Sequence, residues 1–179
     1  MKKTLSIVFI ASCLVVGWWL FAADKQAEKI YQTDTVKPLW IVDGDTFTAQ
    51  EQSQNYRLWG IDAPELDQRW GKAARAALIE LIHKKKVTVE IHGESYSRPV
   101  VRVIAGGKDV GLELLKMGLA WYVPEFAPDE ESYLEAHEAA KADKRGLWSD
   151  PKPVNPKEFR EKRNSEKKKK PGVDRAVDD

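Results

Sequence analysis

From residue 38 onward the spacing of apolar positions changes several times, and each change marks an element. Pro38 to Val42 and Thr46 to Ala49 are short β-type runs around an Asp-Gly turn, and Tyr56 to Ile61 is a third apolar-rich run behind the polar loop Gln50 to Asn55. These predict a three-strand meander. Between Gly71 and Lys84 the period lengthens: Ala74, Ala77, Leu78, Leu81 and Ile82 recur at i, i+3, i+4, as in a helix with one buried stripe. Val87-Thr88-Val89-Glu90-Ile91 alternates cleanly, and Pro99 to Ile104 is a further β-branched run that ends at Gly106-Gly107. Asp109 is placed to cap a short helix whose Leu112 and Leu115 face inward and whose Gly118 ends it. Glu130 to Lys144 predicts a longer helix stopped by Gly146, with Leu147 and Trp148 clipping its end to the core. The order defines an α+β fold, and five strands with an interposed helix suit a small closed β-barrel of the OB type carrying about three helices.

The two ends follow different rules. Leu5 to Ala23 is an almost unbroken apolar run behind Lys2 and Lys3, so residues 1–23 are expected to be an export signal or a membrane anchor, with the N-terminus left in the cytoplasm. An uncleaved anchor is favoured, because Phe21-Ala22-Ala23 is a poor processing site; a cleaved signal ranks second. Lipidation at Ile10-Ala11-Ser12-Cys13 ranks third, since the residues after Cys13 stay apolar. Residues 24–35 are expected to be a linker, 36–150 the folded domain, and 151–179 a basic disordered tail beginning at the proline-rich Asp150 to Pro156. The chain is thus expected outside the cytoplasm, either anchored or secreted. Cys13 is the sole cysteine, which excludes an intramolecular disulfide and a thiolate zinc site.

Charge sharpens this division. The chain of 179 residues has a net charge of +1, but residues 36–150 hold 15 Lys and Arg against 19 Asp and Glu, while 151–179 hold 10 against 6. A mildly acidic domain does not attract a polyanion by its general field; the Lys167-Lys168-Lys169-Lys170 run or a metal-charged pocket would have to do so. No internal repeat and no glycine-rich phosphate loop occurs, which excludes nucleotide-driven motors.

Four short clusters carry the candidate chemistry: Val42-Asp43-Gly44-Asp45-Thr46, Arg57, Asp62-Ala63-Pro64-Glu65, and Tyr96-Ser97-Arg98. Hard carboxylate oxygens can hold a divalent cation beside a phosphodiester, and guanidinium forks stabilise charge that grows on phosphorus during attack. Each fragment alone has an ordinary explanation. Asp-Gly forms hairpin turns, Asp62 and Glu65 have the spacing of a helix-capping pair, and a lone arginine is usually a solvated strand residue. Their combination in one domain is what points to a site. His83, His92 and His137 are too scattered for a nitrogen-rich metal site.

Together with Arg57-Leu58-Trp59-Gly60-Ile61, Gly118-Leu119-Ala120 and Gly146-Leu147-Trp148, these clusters resemble the staphylococcal nuclease (thermonuclease) family over about residues 36–150. The resemblance implies an OB-fold endonuclease with calcium held by Asp45, Asp62 and the backbone carbonyl of Ala63. It implies Glu65 as general base, Arg57 and Arg98 as phosphate stabilisers, and products with 3′-phosphate ends. It further implies a nucleic acid substrate, DNA with RNA as a second candidate; no protein partner is expected. Four positions depart from the family pattern: Ser97 replaces a glycine, Ala63 replaces a threonine, and Pro124 and Phe126 stand where tyrosines are usual. The competing expectation is a non-catalytic OB-fold module, tethered to the membrane, that captures nucleic acid through its basic tail.

Overall fold

The computed structural model describes residues 31–50 and 52–169; the expected signal or anchor at 1–23 lies outside them. Among the described residues no helix is long and apolar enough to cross a membrane. Strands β1 (Gln32–Val36), β2 (Pro38–Ile41), β3 (Thr46–Ala49), β4 (Gln52–Leu58) and β5 (Ile61–Asp62) precede helix α1 (Gly71–Ile82). The long hairpin of β6 (Val87–Ser95) and β7 (Arg98–Ala105) follows, then β8 (Lys108–Asp109), α2 (Val110–Lys116), β9 (Trp121–Tyr122) and α3 (Glu131–Ala142). A 3-10 turn (Gly146–Ser149) and a last helix, α4 (Pro156–Lys169), complete the chain described.

The meander, the two later strands and the first three helices fall where the periodicities predict them, but the closed five-stranded barrel does not form. The main sheet runs β1-β6-β7-β4-β3-β2, with β8 on β7, while β5 and β9 pair separately. Its path starts at β1 and ends at β2, neighbours along one bent segment that Lys37 joins, so the two edges meet through the covalent chain and not through a ladder. The bend has a physical cause: Pro38 lacks a backbone N–H and its register against β3 is shifted, which turns the segment from one partner to the other. Part of the expected linker, Gln32 to Thr35, is therefore sheet strand, paired with Ile91 to Thr88 and continuous with Val36 opposite Val87.

The core lies between the sheet and helices α1 and α2. Phe47, Leu58, Val89, Val101 and Val103 from the sheet meet Leu78 and Ile82 of α1 and Val110, Leu114 and Leu115 of α2, all at 2% exposure or less. Leu115 is fully buried as expected and Leu112 packs half-buried against the core, while Leu114 lies deeper, because the helix turns by about 100° per residue and Val110, Leu114 and Leu115 form the buried i, i+4, i+5 face. The paired glycines Gly118 and Gly146 form the junction behind α2. Both have positive φ, 68° and 51°, Leu147 N–H donates to Gly118 O at 2.9 Å, and a Cβ on either residue would lie 2.3 Å from a carbonyl oxygen.

Asp109 ties three elements together. Its Oδ1 accepts from Leu112 N–H (3.1 Å) and from the buried Tyr133 hydroxyl of α3 (2.9 Å), and its Oδ2 accepts from Arg102 Nε of β7 (2.7 Å). Removing the carboxylate strips the N-cap of α2 and orphans a hydroxyl at 1% exposure, so Asp109→Ala is expected to cost about 3 kcal/mol in urea unfolding, and Tyr133→Phe about 1 kcal/mol.

A second small cluster packs Ala140, Leu147 and Trp148 against Trp70 and Trp121. His137 is buried here at 7% exposure, 5.0 Å from the Trp148 ring, and both of its ring nitrogens lack a hydrogen bond; Glu138 Oε1 stands 3.4 Å from Nδ1, beyond useful geometry. Burial, reinforced by Lys141, lowers its pKa to about 4, Glu138 opposing. The unfolded chain therefore binds this proton first as pH falls, so the contribution is intact above pH 6.5 and is lost between pH 6.5 and 4. The expected loss is up to about 3 kcal/mol, and His137→Phe should flatten that limb of the stability–pH curve measured by urea titration.

Candidate active site

The turn between β2 and β3 places the first carboxylate. Val42 N–H donates to Thr46 O at 2.9 Å, and Asp45 N–H to the Asp43 side chain at 3.0 Å, which folds the Asp-Gly loop back on itself. Asp45 is thereby driven inward to 2% exposure. Its Oδ1 accepts from Thr46 Oγ1 (2.9 Å) and Arg57 Nη1 (2.8 Å), and its Oδ2 from Ala63 N–H (2.8 Å). Arg57 reaches it because Thr46 and Arg57 are register partners in the β3–β4 ladder.

Asp62 is fixed by a different pairing. The short β5–β9 ladder sets Asp62 opposite Trp121, leaving its carboxylate 6% exposed and 2.7 Å from Arg57 Nη2. One planar guanidinium therefore bridges the two aspartates, a placement only a fork can make. Ala63 is 5% exposed and contributes its N–H to Asp45.

Glu65 lies on the loop before α1. Gln68 N–H donates to Glu65 O (2.8 Å) and Glu65 N–H to Gln68 Oε1 (3.2 Å), and a Cβ at Gly71 would sit 1.8 Å from Glu65 O, so Gly71 permits the turn that presents Glu65. The helix begins only at Gly71, which disposes of Asp62 as its cap. Arg98 opens β7 after a two-residue hairpin turn in which Tyr96 (φ 52°) and Ser97 (φ 60°) are both left-handed, the conformation for which the missing glycine would be unstrained. Arg57 pairs with Val100, and Arg98, two residues earlier, shares Val100's face of the sheet. The two arginines thus serve one side, although Arg98 stands apart from the ion-pair cluster and its Nε donates to Ser95 O (3.3 Å). Tyr122, near the positions where tyrosines are usual, spends its hydroxyl on Ala127 O, and Phe126 is exposed.

Two further residues belong to the site, and both come from the segment expected to be disordered. Asn155 caps α4, its Oδ1 accepting from Lys157 N–H (2.9 Å), and Pro156 fills the first helical position. Asn-Pro is a helix start, and so the proline-rich stretch that marks the end of one domain also opens an element. Pro156, Phe159, Arg160 and Arg163 form the i, i+3, i+4, i+7 face turned to the domain; a stripe carried by arginines escapes a search for apolar periodicity. Arg160 Nη2 meets Asp62 Oδ2 (2.8 Å), its Nη1 meets Glu65 Oε1 (2.9 Å) and Asp62 Oδ1 (3.2 Å), and Arg163 meets Asp67 (3.0 Å) and Glu65 Oε2 (3.4 Å).

The electrostatics suit a hard cation. Burial, then the neighbouring Asp43 and Asp62, push the Asp45 carboxyl up to about 7 against the pull of Arg57 and the Ala63 N–H. Burial opposes charge on Arg57 too, yet Asp45 and Asp62 raise its pKa. Among the described residues no three His, Cys, Asp or Glu side chains converge as a metal cage. Two buried carboxylates within reach of one cationic group, with water completing the shell, fit calcium better than zinc.

This constellation is that of a hydrolase for phosphodiesters, and comparison with known proteins agrees. The family model described as Staphylococcal nuclease homologue matches residues 55–150. A Haemophilus influenzae protein named an uncharacterized endonuclease is 33% identical over 86% of this chain and 84% of its own length. A probable endonuclease of Phaeosphaeria nodorum is 38% identical over 62% of this chain, and a probable staphylococcal-like nuclease of Oryza sativa is 36% identical over 60%. The chain spans 43% and 33% of those two longer relatives. It belongs to the staphylococcal nuclease family and is a phosphodiester-hydrolysing enzyme.

Proposed function

We propose that this protein is a calcium-dependent nuclease that acts outside the cytoplasm, cutting DNA, with RNA as a second substrate, at bonds chosen with little regard to sequence. The observation that carries the reading is the single Arg57 guanidinium joining buried Asp45 and Asp62, with Glu65 three residues further on. Asp45, Asp62 and the Ala63 carbonyl would hold calcium, which when bound polarises the phosphate oxygens and neutralises their charge. Glu65 orients the attacking water and accepts its proton. Arg57 and Arg98, on one side of the sheet, stabilise the additional negative charge of the five-coordinate phosphorus. Placement outside the cytoplasm rests on the apolar run Leu5 to Ala23 and is checked by cell fractionation.

The deciding measurement is hydrolysis of DNA by the full chain during a divalent-ion titration. Turnover should rise with calcium and vanish with a chelator. DNA left uncut at every calcium concentration would overturn the reading and leave a nucleic-acid-binding module in its place.

A further inference from the structure

We propose that α4 is an internal inhibitory strap: Arg160 occupies the carboxylates that bind the divalent cation, and cation entry ejects it. This rests on the roles given above to Asp62 and Glu65. Every oxygen of those two carboxylates faces a guanidinium. Asp62 Oδ1 lies 2.7 Å from Arg57 and 3.2 Å from Arg160, and Oδ2 lies 2.8 Å from Arg160. Glu65 Oε1 lies 2.9 Å from Arg160, and Oε2 lies 3.4 Å from Arg163.

Two consequences follow from charge alone. A calcium ion needs carboxylate oxygens at about 2.3–2.6 Å, and a guanidinium already bonded to both oxygens of Asp62 would sit against it as a like charge in a partly desolvated pocket. A general base needs an oxygen open to water, and each Glu65 oxygen already faces a guanidinium, Arg160 at 2.9 Å and Arg163 at 3.4 Å, which competes with water for its acceptor positions. The closed strap therefore blocks the metal and the base together, and α4 and the cation are alternative occupants.

The remaining attachments of α4 suit a part that swings on a fixed hinge. Gln68 Nε2 donates to Val154 O (2.7 Å) and Arg69 pairs with Asp150 (2.8 Å), so the segment before the helix is fastened independently of the carboxylates. Phe159 borders a mainly apolar cavity of about 180 Å³ together with Pro64, Trp70, Leu147 and Val154, so its ring fills that space only in part and is a loose seat for the helix once its ion pairs break. The sequence of α4 carries seven Lys and Arg against three Glu, so its surface is mostly hydrated and its docking is mainly electrostatic. By population-shift arithmetic, the apparent calcium affinity is lowered by the fraction of time the strap is open.

The test measures calcium binding by titration calorimetry on the full chain without nucleic acid, for the wild type, Arg160→Gln and Arg163→Gln. Arg160→Gln should tighten calcium at least about fivefold, and Arg163→Gln should act in the same direction by less. Limited trypsin digestion is the second readout: calcium should expose Lys157, Lys162 and Lys167 of wild-type α4 to cleavage. Equal affinities within twofold, or tryptic cuts in α4 indifferent to calcium, would overturn the strap. If those results accompany calcium-dependent DNA cleavage, the nuclease reading stands alone. If neither wild type nor variant binds calcium or cuts DNA, both proposals fail.

Discussion

Arg57→Ala is expected to lower the rate of DNA hydrolysis by about 10³-fold while leaving the sheet intact, because the proposed mechanism uses this guanidinium to stabilise charge on phosphorus beside the two aspartates it joins. Arg57→Lys should recover little. An ammonium can approach one aspartate, whereas the guanidinium sets Nη1 on Asp45 and Nη2 on Asp62 at once, at 2.8 and 2.7 Å. The same substitution carries a stability signature that separates it from a loss of catalysis alone. Asp45 and Asp62, 2% and 6% exposed, lose their shared counter-charge, which is expected to cost about 2–3 kcal/mol in the presence of a chelator. The figure lies below that of a fully ionised buried pair because Asp45, with its pKa near 7, takes up a proton instead. Saturating calcium should return part of the loss, since a ligand that binds the folded state alone raises its stability. Unfolding curves with and without calcium, beside steady-state rates, provide the check.

Glu65→Gln should reduce kcat by about 10²- to 10⁴-fold with a small change in KM for DNA. The amide keeps the size of the side chain and its place on the loop, which the Gln68 bonds and the close approach of Gly71 determine through the backbone. What it lacks is an oxygen able to take a proton from water. A variant with a normal rate would remove Glu65 from the mechanism without touching the carboxylate pair. Calcium affinity should not fall in this variant, because the glutamine releases Arg160 from one of its two partners.

Residues whose chemistry is local were legible in the chain. Asp43-Gly44-Asp45 forms the turn that its composition demands, and the α1 stripe buries Ala74, Leu78 and Ile82 as the spacing predicts. Arg57 is on a strand next to the Asp-Gly turn, so the contact between them follows from simple antiparallel pairing. Three matters depended on longer range. Whether the sheet closes is decided at Pro38, where one bent segment gives its two halves to different partners, and no period in the sequence reports that. Asp62 owes its position to pairing with Trp121, some sixty residues away. The stretch after Asp150 reads as tail because its prolines and lysines argue against a core, yet α4 needs no apolar core: acidic side chains on the domain hold it. The cue available was Asn155-Pro156 followed by charges at i, i+3 spacing, a helix start with a cationic face.

The bent segment through Lys37 bears on how this protein can be shortened. A fragment starting at residue 36 would keep every residue of the catalytic set, but it would strip all of β1 except Val36 from β6 and leave Thr88 to Ile91 without partners along their outer edge. Bare strands of alternating valine and isoleucine recruit one another. Such a fragment should form aggregates visible by size-exclusion chromatography, while one starting at Tyr31 stays dispersed.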